Sequence, residues 1–131
     1  MSTNPQNIEP EIIYSYSRAQ ALEDGELVDC SEWSSFEIGL LGGTKVPVAL
    51  TRALFETIKN IPEGSGQDIK GRTKDVLFMA SMAARRSREQ RHAFRVIMTE
   101  GSRDKILELL MDIGPGDDGE PVITIGFPED F

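Results

Sequence analysis

The sequence predicts an α+β domain in which N-terminal helices pack on one face of a C-terminal three-stranded antiparallel meander. Two patterns support this prediction. Apolar residues recur with helical spacing in the first two thirds of the chain, and they alternate with polar residues in the last third. The dipeptide Asp118-Gly119 separates the last two alternating segments, and Asp-Gly is a standard hairpin signal.

The first half of the chain is predicted to contain three helices. Ser17 and Gln20 have the spacing of a capping box, and Gly25 is suited to end the short helix that they begin. A second short helix is expected over residues 32–37, where acidic residues lie near its N-terminus. The strongest helical pattern covers residues 47–60.

A fourth helix is predicted over residues 72–87. Its apolar face contains alanines, and Met79 and Met82 lie beside that face, which indicates close packing against neighbouring elements. The proline at position 47 fits the first turn of the preceding helix, because its missing N–H is not needed there.

In the last third of the chain, apolar and polar residues alternate with a period of two. Residues 92–99, 107–113 and 123–127 are predicted to be the three strands of the meander. A helical interpretation of residues 104–113 stays open, because a short run such as Leu-Glu-Leu-Leu fits both periods. Residues 12–16 are apolar and β-prone, and they are a candidate for an additional N-terminal strand.

These faces predict which residues form a common core. The predicted core residues are Leu50, Leu54, Ile58, Leu77, Leu109, Ile123 and Ile125. A chain of 131 residues is long enough to bury such a core as one domain. We expect that domain to cover residues 12–128, after a flexible N-terminus over residues 1–11.

Composition indicates a cytoplasmic protein. There is one cysteine, so an internal disulfide is excluded, and the first residues have no signal-peptide pattern. The longest apolar run, residues 76–80, is far too short for a membrane span.

Charge is distributed unevenly along the chain. The net charge is −8, yet residues 1–37 carry −7, residues 70–95 carry +6 and residues 100–131 carry −7. We favour the interpretation that these segments neutralise one another within the fold, and the alternative is a bipolar binding surface. The negative overall charge argues against a simple nucleic-acid binder.

Five arginines cluster around the start of the predicted meander. They are Arg85, Arg86, Arg88, Arg91 and Arg95. Arginine binds phosphate and carboxylate groups through paired donors, so this cluster is a candidate binding patch. The negative end of the preceding helix dipole accounts for the first three arginines but not for the last two.

Two tyrosines are further candidate contact residues. Tyr14 and Tyr16 are two positions apart, so they share a face if residues 12–16 form a strand. A core position with a hydrated hydroxyl is the favoured alternative.

Catalytic and phosphate-binding patterns are weak. Cys30 and His92 are the only pair that could act as thiol and base, and structural roles are favoured for both. The glycine-rich residues 39–45 lack the spacing of a phosphate-binding loop. We therefore expect neither an enzyme nor a cofactor.

Metal binding is not expected either. One cysteine and one histidine cannot supply the usual zinc ligand sets. Asp117, Asp118 and Glu120 could hold a hard cation, but they lack the EF-hand spacing and suit a tight turn. We interpret them as turn residues.

Several stretches resemble one family of small proteins encoded on bacterial plasmids, phages and integrative elements. The stretches are Tyr14-Ser15-Tyr16-Ser17-Arg18-Ala19-Gln20-Ala21, Asp24-Gly25, Leu27-Val28-Asp29, Pro47-Val48-Ala49-Leu50-Thr51, Gly71-Arg72, Asp75-Val76-Leu77 and, most clearly, Gly114-Pro115-Gly116-Asp117-Asp118-Gly119-Glu120-Pro121-Val122-Ile123-Thr124-Ile125. They span about residues 12–126, whereas residues 85–103 depart from the pattern. The resemblance implies an accessory protein of a mobile element and no enzymatic mechanism.

The expected function is therefore that of a non-enzymatic accessory protein of a mobile genetic element, which binds a host or element-encoded protein. One alternative is a nucleic-acid-binding protein that uses the patch over residues 85–95. Another is an acidic mimic of DNA that inhibits a host defence protein, suggested by the −7 at each end of the chain. The oligomeric state stays open.

Overall fold

A computed structural model describes residues 16–34 and 46–131 and confirms the α+β class. In chain order, the elements are α1 (Arg18–Asp24), β1 (Leu27–Asp29), β2 (Val48–Thr51), α2 (Arg52–Lys59), α3 (Ile69–Ala84), β3 (Arg91–Glu100), β4 (Arg103–Pro115) and β5 (Pro121–Gly126). Single 3-10 turns, Ser31–Trp33 and Pro128–Asp130, follow β1 and β5.

The strands form one mixed sheet in the order β1-β2-β5-β4-β3. The antiparallel pairing of β3 with β4 and of β4 with β5 confirms the predicted meander and excludes the helical alternative for residues 104–113. Parallel pairing joins β2 to β5, with Val48 opposite Ile123, and β1 lies antiparallel to β2. Neither β1 nor β2 is predicted from the sequence, because short buried strands show no alternation.

The predicted helix over residues 47–60 is wrong in its first part, where Val48–Thr51 forms β2. Leu50 and Leu54 mimic helical spacing because both are fully buried, but Leu50 is buried as part of a central strand. The helix begins one residue after Thr51, whose hydroxyl oxygen accepts a hydrogen bond from the Leu54 N–H at 3.3 Å.

Capping residues set the limits of the other helices. The Ser17 hydroxyl oxygen accepts from the Gln20 N–H at 3.0 Å, and Gly25 ends α1 with a φ of +79°, both as predicted. The start of α3 is three residues earlier than predicted, because the Asp68 carboxylate caps it through the Gly71 N–H. The described part of residues 32–37 contains only a 3-10 turn.

All seven predicted core residues are buried, which confirms the assignment of the core. They form one cluster in which α2 and α3 pack on one face of the sheet, here called the inner face. The expected close packing of the methionines is wrong for Met79 and Met82, which are 38% and 42% exposed. Met79 borders a cleft between α3 and β3 that Ala83 and Phe94 also line.

The residues from 16 to 34 and from 46 onward cover the opposite face of the sheet, here called the outer face, only in part. The Arg18 guanidinium of α1 donates to the Thr124 hydroxyl at 2.7 Å. Thr124 lies on the outer face, since its neighbours Ile123 and Ile125 point into the core. The helix α1 is therefore on the side of the sheet opposite to α2 and α3.

The predicted hairpin between the last two strands is confirmed. The Gly116 N–H donates to the Glu120 carbonyl at 2.6 Å, and the Gly119 N–H donates to the Gly116 carbonyl at 3.1 Å. Gly119 has a φ of +81°, so the loop has three residues and ends in the left-handed conformation that glycine permits.

Some expectations concern residues outside the described ranges. They are the flexible N-terminus over residues 1–11, residues 12–15 of the candidate N-terminal strand, which include Tyr14, and the glycine-rich residues 39–45. None of the described helices is long and apolar enough to cross a membrane.

Candidate functional site

The arginine cluster is divided between two environments. Arg85 forms the C-cap of α3, and Arg86 and Arg88 are exposed in the turn that follows. No described residue forms an ion pair with these three side chains. They remain candidates for binding an external anion.

Arg91 and Arg95 are instead paired within the fold. The Arg91 Nε lies 3.0 Å from the Asp112 Oδ1, and the Arg95 Nε lies 3.8 Å from the Glu108 Oε1. Both acids are the direct cross-strand partners on β4. For these two arginines, the favoured interpretation of neutralisation within the fold is correct.

A second candidate site is the backbone edge of β3, which is the last strand of the sheet. The Ile113 N–H donates to the Gln90 carbonyl at 2.8 Å, so residue 90 points its backbone groups towards β4. Backbone N–H and C=O groups alternate in direction along an antiparallel ladder. The backbone groups that point away from β4 are therefore those of Arg91, Ala93, Arg95 and Ile97. No described strand pairs with this edge.

The same alternation is visible at the end of β3. The Thr99 carbonyl, which belongs to the outward-pointing set, accepts a hydrogen bond from the Arg72 Nη2 rather than from a strand. Arg72 therefore closes the edge at Thr99, whereas no hydrogen bond from a described residue engages the outward groups from Arg91 to Ile97. The free edge, defined as the outward backbone groups of residues 91–97, is long enough to pair with an added strand.

The outer face beside this edge is apolar in part. Ile97 and Ile106 lie directly opposite one another on β3 and β4 and are 67% and 58% exposed. We call the outer face of β3 and β4 the open half of the sheet. This apolar pair, beside a strand edge that no described strand pairs with, makes the open half a candidate protein-binding surface.

Tyr16 is not a core residue, contrary to the favoured alternative, since it is 53% exposed. Its hydroxyl donates to the Asp24 Oδ2 at 2.7 Å. This hydrogen bond, with a smaller effect of burial, raises the pKa of Tyr16 to about 12. Tyr16 borders a cleft of about 670 Å³ on the outer face, together with Arg18, Thr51 and Thr124.

The two clearest stretches of the family resemblance meet beside this cleft. The Asp117 carboxylate accepts from the backbone N–H groups of Ala19 and Arg18 at 3.0 and 2.8 Å, and these bonds lower its pKa. The Arg18 side chain donates to the Ile123 carbonyl at 2.8 Å as well as to Thr124. The motif residues thus join α1 to the last hairpin.

These contacts also explain the acidic loop. Both oxygens of Asp117 serve the N-terminus of α1, and the Glu120 Oε1 accepts from the Asp118 N–H at 3.0 Å. Within residues 16–34 and 46–131, no three His, Cys, Asp or Glu side chains are placed to hold a metal ion. The geometry supports a turn role for the loop.

Cys30 and His92 are too far apart to act together. Cys30 follows β1 and His92 lies on β3, at opposite edges of the sheet, which places them about 19 Å apart at the usual strand spacing. Desolvation raises the pKa of the Cys30 thiol to about 12, so it is a poor nucleophile. The buried His92 has its Nε2 2.8 Å from the Glu89 carbonyl oxygen.

Arg72 is an important residue that the sequence alone does not reveal. It is 4% exposed, and its guanidinium donates to the Gln67 side chain at 2.8 Å and to the Ile58 carbonyl at 3.1 Å. It thereby joins the end of α2, the start of α3 and the end of β3. The stretch Gly71-Arg72 of the family resemblance contains it, but its charge equals that of its exposed neighbours in sequence, so spacing and composition do not reveal its burial.

Comparisons with known proteins give one result. The model of a family of unknown function, DUF6573, matches residues 6–131. No curated protein and no solved structure matches the chain.

Proposed function

Since the chain belongs to DUF6573, a family of unknown function, we propose its role from its own surfaces. It is a non-enzymatic, cytoplasmic accessory protein of a mobile genetic element, and it acts by binding a host or element-encoded protein. The resemblance of its motifs to proteins of plasmids, phages and integrative elements supports the biological setting. The free edge of β3 supports protein binding.

Strand addition is the binding mode that the free edge suits best. Four consecutive outward residues offer N–H and C=O groups at regular spacing, and an extended segment of a partner can hydrogen-bond to them. The exposed Ile97 and Ile106 would add apolar contact on the outer face. Proteins usually protect such an edge, so one of this length that no described strand covers favours a binding role.

Nucleic-acid binding through the arginine patch is the second candidate. It is favoured by the exposure of Arg85, Arg86 and Arg88 and by their lack of ion pairs with described residues. It is weakened because Arg91 and Arg95 already have acidic partners.

A DNA mimic has less support. Such an inhibitor needs an uninterrupted array of free carboxylates, and several C-terminal acids are engaged within the fold. Asp112 and Glu108 pair with arginines, Asp117 caps α1, and Asp130 accepts from the Thr51 hydroxyl at 2.7 Å.

A proline at position 93 tests strand addition directly. The Ala93 N–H points away from β4, so Ala93→Pro removes an outward donor without removing a hydrogen bond from the ladder. The matched control Ala93→Ser keeps the N–H group. Tagged wild-type protein and both variants would be used for affinity capture from cells that carry the element, with and without nuclease.

We expect wild type and Ala93→Ser to retain a protein that Ala93→Pro loses, and nuclease to leave this result unchanged. Capture that is equal for all three proteins would contradict a role for the β3 edge. Capture that disappears after nuclease treatment would favour the arginine patch and nucleic-acid binding.

A further inference from the structure

One side of α3 carries a regular row of exposed residues. Asp75, Met79 and Met82 follow one another at intervals of four and three, which places them on one side of the helix. Arg86 lies in the turn after the Arg85 C-cap, where its N–H donates to the Ala83 carbonyl at 3.1 Å, and it extends the row by a further interval of four. All four are exposed, while Val76, Leu77, Ala80 and Ala83 of the same helix are buried against the sheet. We call this row the α3 seam.

The seam has an acid at one end, a base at the other and two methionines between them. Neither Asp75 nor Arg86 forms an ion pair with any described residue. Met79 and Met82 expose 38% and 42% of their surface, although flexible methionine side chains usually fill gaps in packed interfaces. The seam is therefore an interaction surface without a partner among the described residues.

The order of these residues makes the seam complementary to itself. When two such helices run antiparallel, residue 75 of one copy faces residue 86 of the other, and residue 79 faces residue 82. Each acid then meets a base, and each methionine meets a methionine. A parallel arrangement would instead place like charges opposite each other, which is unfavourable.

We propose that the chain forms a homodimer through antiparallel packing of the α3 seam against the same seam of a second copy. The two-fold axis passes between Met79 and Met82, and it generates two equivalent ion pairs, Asp75 with Arg86 of the second copy and the reverse. Intervals of four and three are those at which side chains interlock between two long helices. Charge complementarity under this symmetry selects a second copy over an unrelated partner.

Charge reversal provides the decisive experiment. The dimer dissociation constant would be measured by sedimentation equilibrium for wild type, Asp75→Arg, Arg86→Asp and the double variant. Each single reversal replaces both attractive pairs by repulsive ones, so we expect it to weaken the dimer by about tenfold or more. The double variant restores opposite charges and should recover dimerisation to within about threefold of wild type.

Two controls keep the test specific. Met79→Lys should also weaken the dimer, and circular dichroism should show that every variant keeps its fold, since the changed side chains are exposed. Ile106→Ala should leave the dimer intact, because Ile106 lies on the outer face of β4 and does not border the seam. A monomeric wild type, single reversals without effect, or a dimer dissolved by Ile106→Ala would each overturn the α3 seam, without bearing on capture of a different protein.

Discussion

The two halves of the outer sheet face differ in how they are covered. Over β1, β2 and β5, the helix α1 and the C-terminal turn cover the surface around the cleft at Arg18, and a Cβ atom at Gly126 would lie only 2.8 Å from the Asp130 Oδ2 of that turn. We call this the covered half. In the open half, Ile97 and Ile106 remain largely exposed, and none of the five described strands pairs with the outer edge of β3.

This difference distinguishes residues that stabilise the fold from residues that are accessible to a partner. The stretches that carry the family resemblance, around Arg18 and Asp117, are used in the covered half for capping and for bridging elements. The open half consists of β3 and β4, and β3 lies within residues 85–103, where the quoted family stretches are absent. We infer that the covered half maintains the fold and that the open half, with its adjoining turn, gives this protein its particular partner.

Truncating core side chains on the inner face should cause the largest losses of stability. The loss should be equal beneath the covered half and beneath the open half of the sheet. Ile123→Ala, beneath the covered half, and Leu109→Ala, beneath the open half, should each cost about 2–5 kcal/mol in free energy of unfolding. Both residues are fully buried. Urea unfolding provides the measurement, and Ile106→Ala on the open outer face should cost less than about 1 kcal/mol. A large effect at Ile106 would show that the open half is structurally closed.

Replacing an arginine on the outer face should cost more free energy of unfolding in the covered half than in the open half. Arg18→Ala removes hydrogen bonds to Thr124 and Ile123 from a partly buried position, so we expect a cost of about 1–2 kcal/mol. Arg95→Ala removes only an exposed ion pair with Glu108 and should cost less than about 0.5 kcal/mol. Equal costs in urea unfolding would contradict the assignment of a structural role to the covered half.

Acid should weaken the junction between α1 and the last hairpin. The N–H groups of Ala19 and Arg18 lower the pKa of Asp117, so its contribution to stability is present above the ordinary carboxylate pKa, about 3.9, and is lost as the pH falls through its lowered value. Thermal melts at pH 7 should show a lower midpoint for Asp117→Asn than for wild type. At a pH below the folded-state pKa this difference should vanish, and a constant difference would indicate that the charge is unimportant.

Periodicity accounts for the parts of the fold that the sequence reveals. The meander and the buried face of α3 follow from spacings of two and of three to four, which depend only on neighbouring residues. The strand β2 follows no such rule, because its parallel pairing with β5 joins residues about 75 positions apart. Its four buried residues before α2 therefore look like the start of the helix.

The candidate sites are less predictable from the sequence than the meander, because they also depend on long-range contacts. The pairing of Arg91 with Asp112 depends on strand register, and the burial of Arg72 depends on three elements that meet around it. Arginines that are equivalent in a linear sequence thus become a buried bridge, paired surface residues and exposed residues without an ion pair to the described part of the chain. The free edge is a property of strand order, which local patterns do not determine.

Nucleic acid should bind weakly, and its salt dependence can show which arginines are available. The net charge of −8 opposes binding, so we expect no appreciable affinity for duplex DNA at physiological salt. Any binding at low salt can use Arg85, Arg86 and Arg88, since Arg91 and Arg95 are paired with acids. Three phosphate contacts limit the slope of log K against log salt to about −2.7. Fluorescence anisotropy over a salt series provides the measurement, with Arg88→Gln expected to flatten the slope by about one and Arg95→Gln to leave it unchanged. Tight binding with a slope near −4.5 would mean that all five arginines contact phosphate, and the open half would then be a nucleic-acid interface.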